Sequence, residues 1–197
     1  APLPNENTEL TRHLAIDCEM VGVGEDRKDS ILGEVAIVNA YGACVYHTYV
    51  KPTEFVTDWR TRVSGIEPRH MLEEGKDFTV VQQEVAALLK DRIIVGHHLS
   101  NDMHALKLSH PFKMTRDTAK YRPLTRSKAK PRALKWLCSN ILDMDIQQSA
   151  HSPIIDARAS MLLYHALKNK WEESIKAKKQ RKMQKSKKDA KKDAKSN

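Results

Sequence analysis

Apolar positions fall along the chain in two rhythms. Between residues 13 and 50 the runs are short and rich in branched residues, and they predict three strands: 13–18, Val35-Ala36-Ile37-Val38, and Cys44 through Val50. The last two are separated by a turn at Tyr41-Gly42, so they read as a hairpin. Phe78-Thr79-Val80-Val81 through Leu88-Leu89 has helical spacing, and Arg92-Ile93-Ile94-Val95 then reads as a short buried strand. Helices are expected near 100–108, 133–142 and 154–171, with another strand near Lys113–Asp117. Elements in this order predict the α/β class, a mixed sheet flanked by helices. No apolar stretch approaches twenty residues, so a membrane-spanning helix is not expected.

Candidate chemistry sits at the ends of these elements. Strand side chains alternate between faces, so Asp17 and Glu19 point to one side and Cys18 to the other. Asp102 closes the run Gly96-His97-His98-Leu99-Ser100-Asn101-Asp102, and His151 precedes by five residues Asp156, which falls in the first turn of the last helix. Taken singly, each acid has an ordinary role: a solvated strand end, a helix cap, compensation of a helix dipole. As a set they differ, because carboxylates gathered in one cleft repel unless hard cations hold them. Oxygen ligands without paired thiolates favour Mg²⁺ or Mn²⁺ over Zn²⁺. An imidazole suits the transfer of a proton because its unperturbed pKa lies near neutrality, which makes His151 the candidate for that role.

Ile16-Asp17-Cys18-Glu19-Met20-Val21-Gly22, Val95-Gly96-His97 through Asp102, and His151 with Asp156-Ala157-Arg158 resemble the three motifs of the DEDDh 3′-to-5′ exonucleases. Trp59-Arg60-Thr61-Arg62-Val63-Ser64-Gly65-Ile66 adds a resemblance to the RNA exonuclease 4 branch, relatives of the interferon-stimulated 20-kDa exonuclease. One departure is visible: Pro153-Ile154-Ile155 stands where the family more often has a Ser-Val-Glu-like stretch. The resemblance implies a ribonuclease-H-like fold over 13–171 and two divalent cations held by Asp17, Glu19, Asp102 and Asp156, with His151 as general base. It implies an exoribonuclease that takes single-stranded RNA, with DNA as the alternative substrate, from a 3′ end. Met20, Arg60, Arg62, Ser64 and His97 are the candidate substrate-binding residues; Met20 would act as an apolar wedge, and Arg60 and Arg62 would contact phosphate or a ribose hydroxyl. A DNA-preferring exonuclease and an RNA-binding assembly factor with a dispensable nuclease site are the alternatives.

Charge divides the chain further. Residues 176–197 hold eleven Lys or Arg and two Asp, a net of +9 that equals the net charge of the whole chain, so the remainder is neutral. This segment cannot bury a core, and 172–197 is expected to be a basic tail, disordered or helical with fraying beyond Trp171. It would tether nucleic acid and direct the chain to the nucleus and nucleolus, in RNA processing or ribosome biogenesis. Residues 1–12 read as a polar extension without a signal-peptide core, and the three cysteines are widely spaced and odd in number, which suits a reducing compartment. A second basic group, Lys120, Arg122, Arg126, Lys128, Lys130, Arg132 and Lys135, has no acid between Asp117 and Asp143 and is expected in a surface loop.

Overall fold

The computed structural model of the chain describes residues 7–126 and 130–193. Lys128, residues 1–6 of the N-terminal extension and residues 194–197 of the tail lie outside the described residues. β1 (His13–Val23) lies inside a mixed sheet of order β3-β2-β1-β5-β6. On one side β2 (Asp29–Asn39) and β3 (Cys44–Tyr49) continue it as an antiparallel meander, and β4 (Val56–Asp58) pairs with the far end of β1. On the other side β5 (Ile93–Gly96) runs parallel to β1 and β6 (Thr115–Asp117) parallel to β5. The predicted hairpin is present: Asn39 Oδ1 accepts the amides of Tyr41 and Ala43, closing the turn between β2 and β3.

The core explains which face remains for chemistry. Leu14, Ile16 and Cys18 of β1 pack with Val35 and Ile37 of β2 and with Val81, Val85 and Leu89 of α3 (Phe78–Leu89), a helical stripe of period four. α4 (Leu99–Ala105) adds Leu99 and Ala105 to the same cluster. Its approach depends on Gly96, because a Cβ there would collide with the Leu99 side chain and stand 2.9 Å from the Ile16 carbonyl. Asp17 and Glu19, on the alternate positions of β1, therefore face away from this cluster.

Several boundaries differ from the expectation, each for a physical reason. β1 and β2 run well past 18 and begin well before 35, because pairing resumes beyond a register shift at Glu19/Met20. The helix expected over 133–142 is α5 (Leu134–Leu137) followed by a π-helical turn, Cys138–Leu142, that ends at a left-handed Asp143. α4 stops short of 108, with Lys107 in the left-handed region. β4, α1 (Thr61–Ser64) and α2 (Pro68–Leu72) were not foreseen; three to five residues are too few to show a period.

α6 (Pro153–Asp193) begins with proline at its first position, where the missing amide costs nothing, so Pro153 is well suited to open the helix. It also continues past Trp171, where fraying was expected, through residues that are mostly Lys, Ala, Gln and Arg, all good helix formers. The chain divides into two compact units, residues 1–164 with the sheet and residues 165–197. No helix among the described residues is long and apolar enough to cross a membrane.

Candidate active site

Three of the predicted residues converge within direct reach of one another. Glu19, His151 and Asp156 each offer a ligand atom, and these atoms all lie within 4.8 Å of one another. His151 Nδ1 stands 3.8 Å from Glu19 Oε1 and 3.6 Å from Asp156 Oδ2. Asp156 is fixed by its place in the first turn of α6, where its amide donates to the Ser152 carbonyl at 2.9 Å. Its Oδ2 accepts a 2.6 Å hydrogen bond from Gln147 Nε2, whereas its Oδ1 is buried and has no hydrogen-bond partner among the described residues.

Asp17 and Asp102 lie outside that triad but are electrostatically joined to it. Burial, and then repulsion from Asp102, Asp156, Glu19 and Glu34, raises the Asp17 carboxyl well above the ordinary carboxylate range. Burial pushes Glu19 up to about 8, with Asp156, Glu34 and Asp102 adding to it. Asp102, 3% exposed, is pushed up to about 7 by burial, although hydrogen bonds from the Cys18 amide and thiol favour its charged form. Asp156 is raised by burial and pulled back by Gln147 and His151. Four acids that resist ionisation and one orphaned carboxylate oxygen form a donor set that lacks positive charge. Hard divalent cations match it in ligand type, in charge and in the open valence of Asp156 Oδ1.

A sequence profile of the exonuclease family (RNase_T: Exonuclease) matches residues 14–164, which include all five of these side chains. The chain belongs to this exonuclease family. Over 166 residues it is 53% identical to RNA exonuclease 4 of Mus musculus, a match that covers 84% of this chain and 38% of that protein. Identity is 51% over 170 residues with the Xenopus laevis protein of the same name (86% and 40% covered) and 48% over 169 residues with that of Debaryomyces hansenii (85% and 62%). The chain thus spans about two fifths of the length of these vertebrate relatives. Among solved structures, the Pan2 catalytic unit of Neurospora crassa superimposes with a TM-score of 0.73 at 21% identity, covering 89% of this chain and 31% of that one. The Saccharomyces cerevisiae Pan2 pseudoubiquitin hydrolase–RNA exonuclease module in complex with A7 RNA gives 0.71 at 26% identity, with 88% and 31% covered. The sheet is thus the ribonuclease-H-like one that the motifs implied.

Around the acids, this exonuclease chain places the other predicted residues in varied roles. Ser64, 2% exposed, donates toward the Trp59 and Arg60 carbonyls and accepts the Ile66 amide, so it braces its own turn. That turn in turn supports His151: the His151 amide donates to the Val63 carbonyl at 2.7 Å, and a left-handed Gly65 lies against Ala150 and the His151 carbonyl. The Arg60 guanidinium bonds Ser30 Oγ and the Arg27 carbonyl and thereby holds the β1–β2 connection. Arg62 is exposed in α1. Met20, just past the bulge, is half-buried against the main core cluster. His97 is tied to Thr118 Oγ1 at 2.8 Å, and burial, helped by His98, lowers its imidazole to about 4.

Two neighbours escaped sequence reasoning. Glu34 faces Glu19 across the β1–β2 ladder and is held by His47 Nε2 at 2.6 Å. A lone acid inside the apolar run from Leu32 to Val38 was the available sign. Gln147 had none, because its role comes from a left-handed backbone that aims its amide at Asp156.

Proposed function

We propose that this chain is a metal-dependent 3′-to-5′ exoribonuclease that releases nucleoside monophosphates from single-stranded 3′ ends. The observation that carries the reading is the convergence of Glu19, His151 and Asp156 beside two further buried, mutually repelling acids. Asp17, Glu19, Asp102 and Asp156 would hold two divalent cations, Mg²⁺ or Mn²⁺, which supply an activated water and charge stabilisation at the scissile phosphate. His151, about a third exposed, has a path to solvent and would take the proton of the attacking water. Glu19 and Asp156, within 4 Å of its Nδ1, would stabilise the imidazolium that results. Gln147 would keep Asp156 in the rotamer that leaves Oδ1 free.

The choice of RNA draws support from the relatives named RNA exonuclease 4 and from the Pan2 module solved with RNA. The chemistry at phosphorus is indifferent to the sugar, so discrimination needs a contact to the 2′-hydroxyl. Matched RNA and DNA oligonucleotides labelled at the 5′ end, incubated with Mg²⁺, Mn²⁺ or EDTA, test the reading. A ladder shortening from the 3′ end, faster on RNA, silent in EDTA and blocked by a 3′-phosphate, is expected. Rapid cutting of a circular RNA would refute it.

His151→Ala should lower turnover by roughly 10²- to 10⁴-fold, the usual range for loss of a general base. Cation binding, followed by titration calorimetry, should persist; retention of wild-type turnover would remove His151 from the proton path. We also assign the tail to affinity and to nuclear and nucleolar targeting, with a role in RNA processing or ribosome biogenesis, on the strength of its +9 charge. Deleting residues 176–197 should weaken RNA binding and flatten its salt dependence while turnover at saturating substrate holds. An unchanged salt slope would show that the tail does not touch RNA.

A further inference from the structure

We infer that Lys120, Arg122, Arg126, Lys130, Arg132 and Lys135, which lie between β6 and the end of α5, form a track for the RNA upstream of the nucleotide being removed, with Trp136 as a base-stacking platform. The inference rests on the exoribonuclease reading and deepens it. Its first support is charge: among the described residues from Thr118 to Leu142 there are six Lys or Arg and no acid, in a chain whose residues 1–175 are neutral overall. Arg122, Arg126, Lys130 and Lys135 are exposed.

The second support is Trp136. It is 41% exposed on a four-residue helix, with the Arg132 guanidinium 3.7 Å from its ring centroid. A large ring left on the surface among cations has the composition of single-strand binding grooves, where bases stack on aromatic faces and Lys or Arg follow the phosphates.

The third is position, since both ends of the segment are anchored at the acids. At its start Thr118 is bonded to His97, which directly follows β5, and Asp117 Oδ1 accepts the His98 amide at the head of the helix that carries Asp102. At its end Lys135 Nζ donates to the Gln147 carbonyl at 2.9 Å, and the Gln147 side chain holds Asp156. A chain whose 3′ end lies at the acids has further phosphates to neutralise, and this segment offers the cations to do so.

Trp136→Ala, Trp136→Phe and the double variant Arg122→Gln/Arg126→Gln test it, none of them touching the acids or His151. Binding of an RNA of about twelve nucleotides is followed by fluorescence anisotropy in EDTA, and cleavage of that RNA and of a trinucleotide is followed with Mg²⁺. Trp136→Ala should raise KM for the longer RNA roughly 5- to 100-fold, the range for one lost stacking contact, while kcat and the trinucleotide KM hold. Trp136→Phe should keep most of the affinity. The double variant should flatten the salt slope by roughly 0.7 for each cation removed.

Unchanged binding of the longer RNA in both Trp136→Ala and the double variant overturns the track and leaves this face to an acidic protein segment. Equal KM shifts for both substrates overturn it too, since the effect would then arise at the acids. A wild-type protein that binds the longer RNA with these dependences yet cleaves neither substrate would refute the exonuclease reading and leave the track standing.

Discussion

Replacing Asp17 with Asn is expected to lower RNA turnover by about 10³-fold or more while the metal-free protein becomes more stable. The substitution keeps volume and removes one ligand charge, and cation-assisted phosphoryl chemistry depends on several kcal/mol from such ligands, at about 1.4 kcal/mol per tenfold. The gain in stability follows from the same charge: Asp17 is raised by burial and by four neighbouring acids, so the neutral amide relieves a repulsion present without cations. Turnover at saturating Mg²⁺ and thermal unfolding in EDTA, measured on the same preparation, check both halves. Wild-type turnover would remove Asp17 from the ligand set, and a lower midpoint in EDTA would show that its charge is already compensated.

The second large effect couples pH to metal. Glu19 at about 8 and Asp102 at about 7 hold protons in the folded protein that the unfolded chain releases near pH 4–4.5. A folded state that binds more protons loses stability as pH rises, so the metal-free protein should weaken from pH 4–4.5 up to about 8 and then level off. Because the acids titrate as a coupled set, the loss belongs to the set rather than to any one acid and is on the order of several kcal/mol, roughly 10 °C or more in the midpoint for a chain of this size. Mg²⁺ or Mn²⁺ should restore most of it, and more at pH 8 than at pH 5, since cations compete with protons for the same oxygens. Flat midpoints across this range in EDTA, with no response to either cation, would mean that the acids are not poised to receive metal.

Asp17, Glu19 and Asp156 were legible in the sequence because each sits on an element whose period is clear: Asp17 and Glu19 on an alternating strand, Asp156 in the first turn of an apolar helical stripe. Residues that act through tertiary contacts were not. Arg60 and Ser64 have the right types for binding RNA, but their bonding to the β1–β2 connection and to their own turn depends on where the chain folds back. Gln147 acts through one left-handed residue in a segment with no period at all. The bulge after Glu19 hid the second halves of β1 and β2, because a register shift breaks the alternation that makes a strand readable. Beyond Trp171 the apolar period disappears and only helix propensity remains to carry α6 onward.

The placement of β1 also sets an order of events during synthesis. Its partners β2, β4 and β5 all lie before residue 97, and three of the four acids lie before residue 103. A growing chain has therefore already made β1, its strand partners and Asp17, Glu19 and Asp102 while His151 and Asp156 are still to come. At that stage three of the acids exist without the imidazole and without the helix that brings the fourth. Until the chain reaches the head of α6, the candidate site lacks both its imidazole and its fourth carboxylate, so the last described helix is the one that completes it.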